Sequence, residues 1–181
     1  MIRATRMKRT EARRRLVIVG NGMATESLIS RLGTDHGWSV RVLGEEPVRH
    51  YNRIMLSPLL GEETDLDAIT PRDDAWYRAR RVTVSLGKRV ARLDRQRRCL
   101  YCDDGERVDY DTLVIATGAR SSMPPLPGVA ELDGVSGFRS LHDVERLRGW
   151  SRARPGVRAV VVGAGLLGVE AAVGLRRLGA D

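Results

Sequence analysis

Long apolar runs, cysteines, lysines and histidines are all scarce in this chain, and each scarcity excludes something. The longest apolar stretches, "LVIV" and "AVVVGAGLLGV", fall far short of the ~20 residues a bilayer crossing needs. No charged-then-apolar leader opens the sequence, which points to a cytoplasmic protein with no membrane partner. His36, His50 and His142 stand isolated in surface-like contexts, so no catalytic acid, base or nucleophile and no metal ligand set emerges. The two cysteines, Cys99 and Cys102, form a C-x-x-C in "RCLYC". They lie on a strand-like run before a turn at Asp104-Gly105, and residues three apart on a strand face opposite sides. We read them as a structural pair, with a redox pair or a metal site as the alternative.

What the chain does have is arginine. Its formal charge is +8, and lysine occurs only at Lys8 and Lys88. Seven basic residues crowd the first fifteen positions (Arg3, Arg6, Lys8, Arg9, Arg13, Arg14 and Arg15), whereas the remaining cations are scattered among carboxylates. That scatter argues against a nucleic-acid partner, which requires clustered cations to displace counterions from phosphates. Residues 1–14 read as a solvated, disordered leader, the alternatives being a phosphate-binding arm or an organelle presequence. With 42% hydrophobic residues over 181 positions, the rest is a folded chain of one domain, or one and a half.

Periodicity organises that remainder. "RLVIVGNGMATESLISRLG" gives a short strand, a glycine turn and a helix with Met23, Ala24, Leu28, Ile29 and Leu32 at helical spacing, stopped by Gly33. "WSVRVLGEEP" adds a second strand, completing a unit of the length a parallel crossover needs. A short helix or turn is expected in "YNRIMLSPLLGEE" and a helix after Pro71. Three strand-like runs follow, "RVTVSLG", "RVARLD" and "RCLYC", the last leading through the Asp-Gly turn into "VDYDTLVIATGA". The expected order is a parallel unit first and an antiparallel meander second. Residues 121–156 form a proline- and glycine-punctuated crossover with a modest helix around "LHDVERLRGW", and 157–181 repeat the opening strand-turn-helix pattern.

The two glycine turns are Gly20-Asn21-Gly22-Met23-Ala24-Thr25 and Gly163-Ala164-Gly165-Leu166-Leu167-Gly168. In a dinucleotide site the first glycine makes the tight turn and the second lets the pyrophosphate approach the backbone. The third packs helix on strand, and the helix N-terminus offers unpaired N–H groups. Thr25 stands where the pattern expects glycine or alanine and should loosen that packing. Glu45, about twenty residues on, is placed to accept hydrogen bonds from an adenosine ribose; Glu46 competes for the role, and a solvated loop carboxylate is the alternative. No equivalent position exists before Asp181 for the second turn, which leaves NAD against NADP open.

Two such turns separated by a meander and an "ATG" strand resemble the two-dinucleotide flavoproteins of pyridine nucleotide-disulfide oxidoreductase type. The resemblance implies an α/β fold: a Rossmann-like FAD-binding domain of parallel sheet plus antiparallel meander over 15–120, and the start of an inserted NAD(P)-binding domain at 157–181. "VIVGNGMA" with "VRVLGEEPVRHYNRIMLSPLLGEE" is most similar to the opening of the NAD(P)H-dependent nitrite reductase large subunit. Ferredoxin and rubredoxin reductases share the Y-x-R-x-x-L-S segment but typically carry a lysine after the serine, where this chain has Pro58. The resemblance implies FAD along Gly20, Asn21, Gly22, Met23, Ala24, Glu45, Arg53 and Ser57, at the Val90 backbone, and along Ala116, Thr117 and Gly118. It places NAD(P)H at Gly163, Gly165, Leu166, Leu167 and Gly168, with Glu170 near the nicotinamide or, alternatively, serving only the dipole of a first helical turn. It further implies a piece of a longer parent whose acceptor domain or protein partner takes the electrons, with iron-sulfur cluster and sirohaem outside this chain, and little activity for the piece alone. The rival readings are a ferredoxin or rubredoxin reductase and, in other classes, a non-catalytic nucleotide-binding module and a basic nucleic-acid binder acting through residues 1–15. The oligomeric state is not fixed.

Overall fold

A computed structural model describes residues 13–125, 127–129 and 132–181; most of the expected basic leader lies outside them. By contact the chain divides into two compact units, one built from residues through Val48 together with Asp74–Ala116, the other from Arg49–Asp73 and Thr117–Asp181.

In the first unit, β1 (Arg14–Val19), α1 (Met23–Leu32) and β2 (Trp38–Leu43) form the expected crossover, β1 and β2 pairing in parallel with Val19 opposite Leu43. β3 (Val82–Ser85) follows a short helix, here labelled α4 (Asp74–Ala79), and pairs in parallel with β2. It therefore leaves the meander to which its sequence neighbours belong. β4 (Val90–Asp94), β5 (Cys99–Cys102) and β6 (Arg107–Asp109) are that antiparallel meander. The expected single strand "VDYDTLVIATGA" is broken at Tyr110-Asp111, after which β7 (Thr112–Ile115) returns to pair in parallel with β1. The Asp111 carboxylate sits at the change of sheet, accepting from the Arg15 backbone N–H at 2.7 Å and from the Arg15 guanidinium at 3.0 Å. The parallel sheet runs β3-β2-β1-β7.

Alternation along β1 divides the core into two layers. Leu16 and Ile18 pack with Ile29, Val40, Val42, Tyr77 and Val82 on the helical side. Val17 faces Leu43, Leu100, Cys102, Val108 and Tyr110 beneath the meander. Cys99 and Cys102 are both buried and both free, so they are packing groups. Burial pushes the Cys102 thiol up, away from the reactive thiolate, and Asp104 and Glu106 add to the shift. Two guanidiniums of this unit lie over indole rings, Arg14 over Trp38 at 4.6 Å and Arg80 over Trp76 at 4.2 Å.

The second unit is helical. A single 3₁₀ turn (Arg53–Met55) leads into α2 (Leu56–Leu60), followed by α3 (Leu66–Ile69), α5 (Leu141–Ala153) and α6 (Leu166–Arg177). Helix α2 packs against both α5 and α6. Gly61 and Gly174 allow α2 and α6 to cross closely, since a Cβ on Gly174 would stand 3.1 Å from the Leu60 side chain. Arg148 donates to the Leu59 carbonyl, and Arg152 and Arg177 pair with Glu62 and Glu63. Arg146 lies over Trp150 at 4.8 Å. The strand expected at 157–163 does not form. Val160 is 89% exposed, and no ladder is found for it among the described residues. A strand needs a neighbour, and the described residues supply one rung: Asp181 N–H donates to the Val157 carbonyl and Ala159 N–H to the Asp181 carbonyl, the pattern of a parallel pair.

Candidate nucleotide-binding site

The first glycine turn closes the carboxyl end of β1, the strand flanked by β2 and β7, where open parallel sheets bind ligands. Gly20 adopts φ +107°, a conformation that L side chains rarely take, and its N–H donates to the Leu43 carbonyl at 2.8 Å. Gly22 differs in kind. It caps α1 with an extended backbone, and a Cβ there would meet no protein atom within 4 Å. Neither conformation nor packing asks for glycine at this position, so the space it leaves suits a group from outside the chain. No side chain caps α1, which leaves its first-turn amides available to an anion. Met23 and Ala24, in that first turn, are both exposed.

Thr25 corrects the expectation of a loosened helix start. It is 1% exposed, and its hydroxyl donates to the Gly20 carbonyl at 2.7 Å, tying the turn to the helix. Gly44, which the sequence reading passed over, has a comparable effect from the other side. A Cβ on it would stand 3.0 Å from that of Asn21, so its absence lets β2 end close beside the turn. Glu45 follows directly and meets Arg89 at 3.4 Å, with both side chains exposed. The Lys88 N–H donates to the Gly44 carbonyl at 2.7 Å, which brings the 87–90 segment, and with it the Val90 backbone, alongside Glu45. Ala116 joins the same strand ends, its N–H donating to the Val19 carbonyl at 2.8 Å. The first unit thus gathers the glycine turn, Glu45, Val90 and Ala116.

Beside this lies a charged cluster. The ligand atoms of Cys102, Asp104 and Glu106 fall within 4.8 Å of one another. Both carboxylates are already engaged, Glu106 by Arg41 at 2.7 Å and by Lys88 at 3.0 Å, and Asp104 by Lys88. The hydrogen bond from Lys88 holds the Asp104 carboxyl below its usual range, and that from Arg41, followed by Lys88, does the same for Glu106. A cation would have to displace these partners.

In the second unit Gly163 takes φ +121°, and Gly165 caps α6 with an extended backbone and open space where a Cβ would be. Again no side chain caps the helix, and Leu166 and Leu167 in its first turn are exposed. Gly168 is a packing requirement, because a Cβ on it would run into the Gly163 carbonyl oxygen. Helix α5 shows the contrast: Ser140 and Asp143 form a full capping box, and the buried Tyr51 hydroxyl accepts from the Leu141 N–H at 3.0 Å, leaving little for a ligand. The same hydroxyl accepts from Arg53 at 2.7 Å, and the Arg139 carbonyl holds that guanidinium from another side at 3.0 Å.

Glu170 lies in the second turn of α6 and not the first, so the dipole alternative does not apply. Its partner is Ser57, buried within α2, whose hydroxyl donates to the carboxylate at 2.7 Å. Sequence separation of 113 residues hid that contact. Gly118 has φ +74°, and no protein atom stands where a Cβ would be. Of the histidines, His50 is buried, contrary to expectation, and His36 bonds the Arg80 carbonyl at 2.7 Å; His142 is exposed.

Each of the two glycine turns presents an uncapped helix start with open space at its second glycine, and one family model, described as pyridine nucleotide-disulphide oxidoreductase, matches residues 14–181. The chain belongs to the pyridine nucleotide-disulphide oxidoreductase family. Within this family it is 39% identical over 171 residues to an assimilatory nitrate reductase electron transfer subunit of Bacillus subtilis (strain 168), covering 93% of this chain and 22% of the subunit. A nitrite reductase [NAD(P)H] of the same organism is 35% identical, with 93% and 21% covered. Among solved structures, the covalent putidaredoxin reductase-putidaredoxin complex contains a chain similar at a TM-score of 0.75 and 26% identity, with 93% and 41% covered. This member of the pyridine nucleotide-disulphide oxidoreductase family therefore spans about a fifth of the length of those two Bacillus relatives. No helix among the described residues is long and apolar enough to cross a membrane.

Proposed function

We propose that the chain forms the FAD-binding opening, and the start of the NAD(P)H-binding domain, of an oxidoreductase of the nitrite reductase large-subunit type. The observation that carries this is the pair of second glycines, Gly22 and Gly165: ordinary backbone, open space and an uncapped helix at each. A diphosphate fits that donor set, since its charge matches the N-terminal dipole and its bulk needs the missing Cβ. In the first unit the turn residues 20–24 would hold the FAD diphosphate, Glu45 the adenosine ribose and the Val90 backbone the adenine. Sequence resemblance adds Arg53, Ser57, Ala116, Thr117 and Gly118 for FAD, and assigns Gly163, Gly165, Leu166, Leu167, Gly168 and Glu170 to NAD(P)H. The domain limits proposed are 15–120 for FAD, 121–156 for the crossover and 157 onward for NAD(P)H. FAD, when bound, supplies the step from hydride to single electrons that no side chain here can provide. The chain's own part is to bind and orient, with an acceptor domain or electron-carrier protein receiving the electrons.

Titrating FAD into the purified chain, followed by flavin fluorescence, tests this. Gly22→Val should leave the melting temperature unchanged, because its side chain enters open space, and weaken FAD binding at least tenfold. Equal affinity in the two proteins would refute the site. A second reading, a ferredoxin reductase, is favoured by the similarity to the putidaredoxin reductase chain and disfavoured by Pro58. Reduction of nitrite against reduction of a small iron-sulfur protein by the parent protein separates them.

A further inference from the structure

We propose that Thr25 is a positioning residue for the cofactor diphosphate, its hydroxyl locking the Gly20-Asn21 peptide in the orientation that presents the Asn21 N–H to a phosphate. This rests on the FAD reading above. The segment Gly20-Asn21-Gly22 carries two glycines and belongs to the most permissive backbone in the chain. A helical threonine usually turns its hydroxyl back to the carbonyl four residues earlier, which here would be Asn21. Thr25 instead reaches the carbonyl of Gly20, five residues earlier, at 2.7 Å, from a position 1% exposed. The peptide is trans, so its C=O and N–H point in opposite directions. Fixing the Gly20 carbonyl toward Thr25 therefore turns the Asn21 N–H away from the helix. Among the described residues no backbone carbonyl accepts that N–H. The second turn reaches the same end without a hydroxyl: Gly168 lies so close to the Gly163 carbonyl that contact alone restrains it. A locked turn binds more tightly because less backbone freedom is lost on binding.

The test uses the purified 181-residue chain with Thr25→Val, which keeps the shape and removes the donor, Thr25→Ala as a second donor-free variant, and Thr25→Ser, which restores the donor. FAD affinity should fall about fivefold in Thr25→Val and Thr25→Ala, the worth of one neutral hydrogen bond, and return to within about twofold in Thr25→Ser. In flavin-free protein, NMR order parameters of Gly20 and Asn21 should drop from the rigid range, about 0.85, to below about 0.6 in the donor-free variants alone. Wild-type affinity in those variants, or Thr25→Ser as weak as Thr25→Val, overturns the proposal. If the wild-type chain binds no FAD, the reading of the site falls, and unchanged order parameters overturn the lock separately.

Discussion

The two glycine turns share a pattern and differ in how they are built. The first follows a strand held on both sides, by β2 and β7, and its sixth residue is a threonine that hydrogen-bonds back to the first glycine. The second follows an extended segment with one rung of pairing, and its sixth residue is a glycine with no room for a side chain. The same spacing thus specifies the same backbone geometry at the start of each helix, while packing around the carbonyl of the first glycine is solved in two incompatible ways. The residue at position six is not interchangeable between them.

Exchanging the two solutions is the most direct way to break that comparison. Gly168→Thr drives a Cβ into the Gly163 carbonyl, and should destabilise the second unit by about 3 kcal/mol, read from loss of helical circular dichroism on urea unfolding. The reciprocal change, Thr25→Gly, loses a buried hydrogen bond and adds a flexible residue to the start of α1, so about 1–2 kcal/mol is expected. If both changes cost the same, the turns are equivalent after all. Ser57→Ala removes the hydroxyl bond to Glu170 between α2 and α6 and should cost about 1 kcal/mol, since Glu170 is half-exposed and water replaces part of the bond.

The smallest effect concerns only the first region and appears only in acid. Asp111 is held down to about 2 by the side-chain hydrogen bond from Arg15 and then by the Arg15 backbone N–H. A depressed carboxylate stabilises above its unfolded value, near 4, and loses that contribution as pH falls toward about 2. Asp111→Asn should therefore narrow the stability difference between pH 5 and pH 2, monitored by acid titration of the melting temperature. A wild-type-like acid response would show that this anchor of β1 to β7 is not electrostatic.

Much of the fold was legible because strand, turn and helix are written in local periodicity, as in β1, α1 and β2. Which sheet a strand joins is not local. "VTVS" reads the same whether it lies in a meander or beside β2, and nothing in "VDYDTLVIA" announces that Asp111 would capture Arg15 and divide it. Likewise Val160–Val162 have the composition of a strand without a partner to make them one. For the candidate site, the left-handed backbone of Gly20 and Gly163 and the open space at Gly22 and Gly165 follow from spacing, because the backbone requirement of the turn is itself a spacing. Thr25 was read with the wrong sign, since a one-letter departure reveals a missing glycine and not the carbonyl its hydroxyl can reach. Ser57 with Glu170, and Tyr51 with Arg53 and Leu141, are contacts across elements. Only the packing of α2 against α5 and α6 reveals them.

The arginines stacked over indoles have an optical consequence. Every tryptophan of the chain, Trp38, Trp76 and Trp150, sits beneath a guanidinium whose positive field acts on the excited ring. Trp38 and Trp76 belong to the first unit and Trp150 to the second. Replacing Trp150 with phenylalanine leaves emission that reports the first unit alone, and replacing the other two leaves a lamp in the second. The molecule thus carries a separate intrinsic fluorophore in each compact unit, so unfolding of either can be followed without an attached dye.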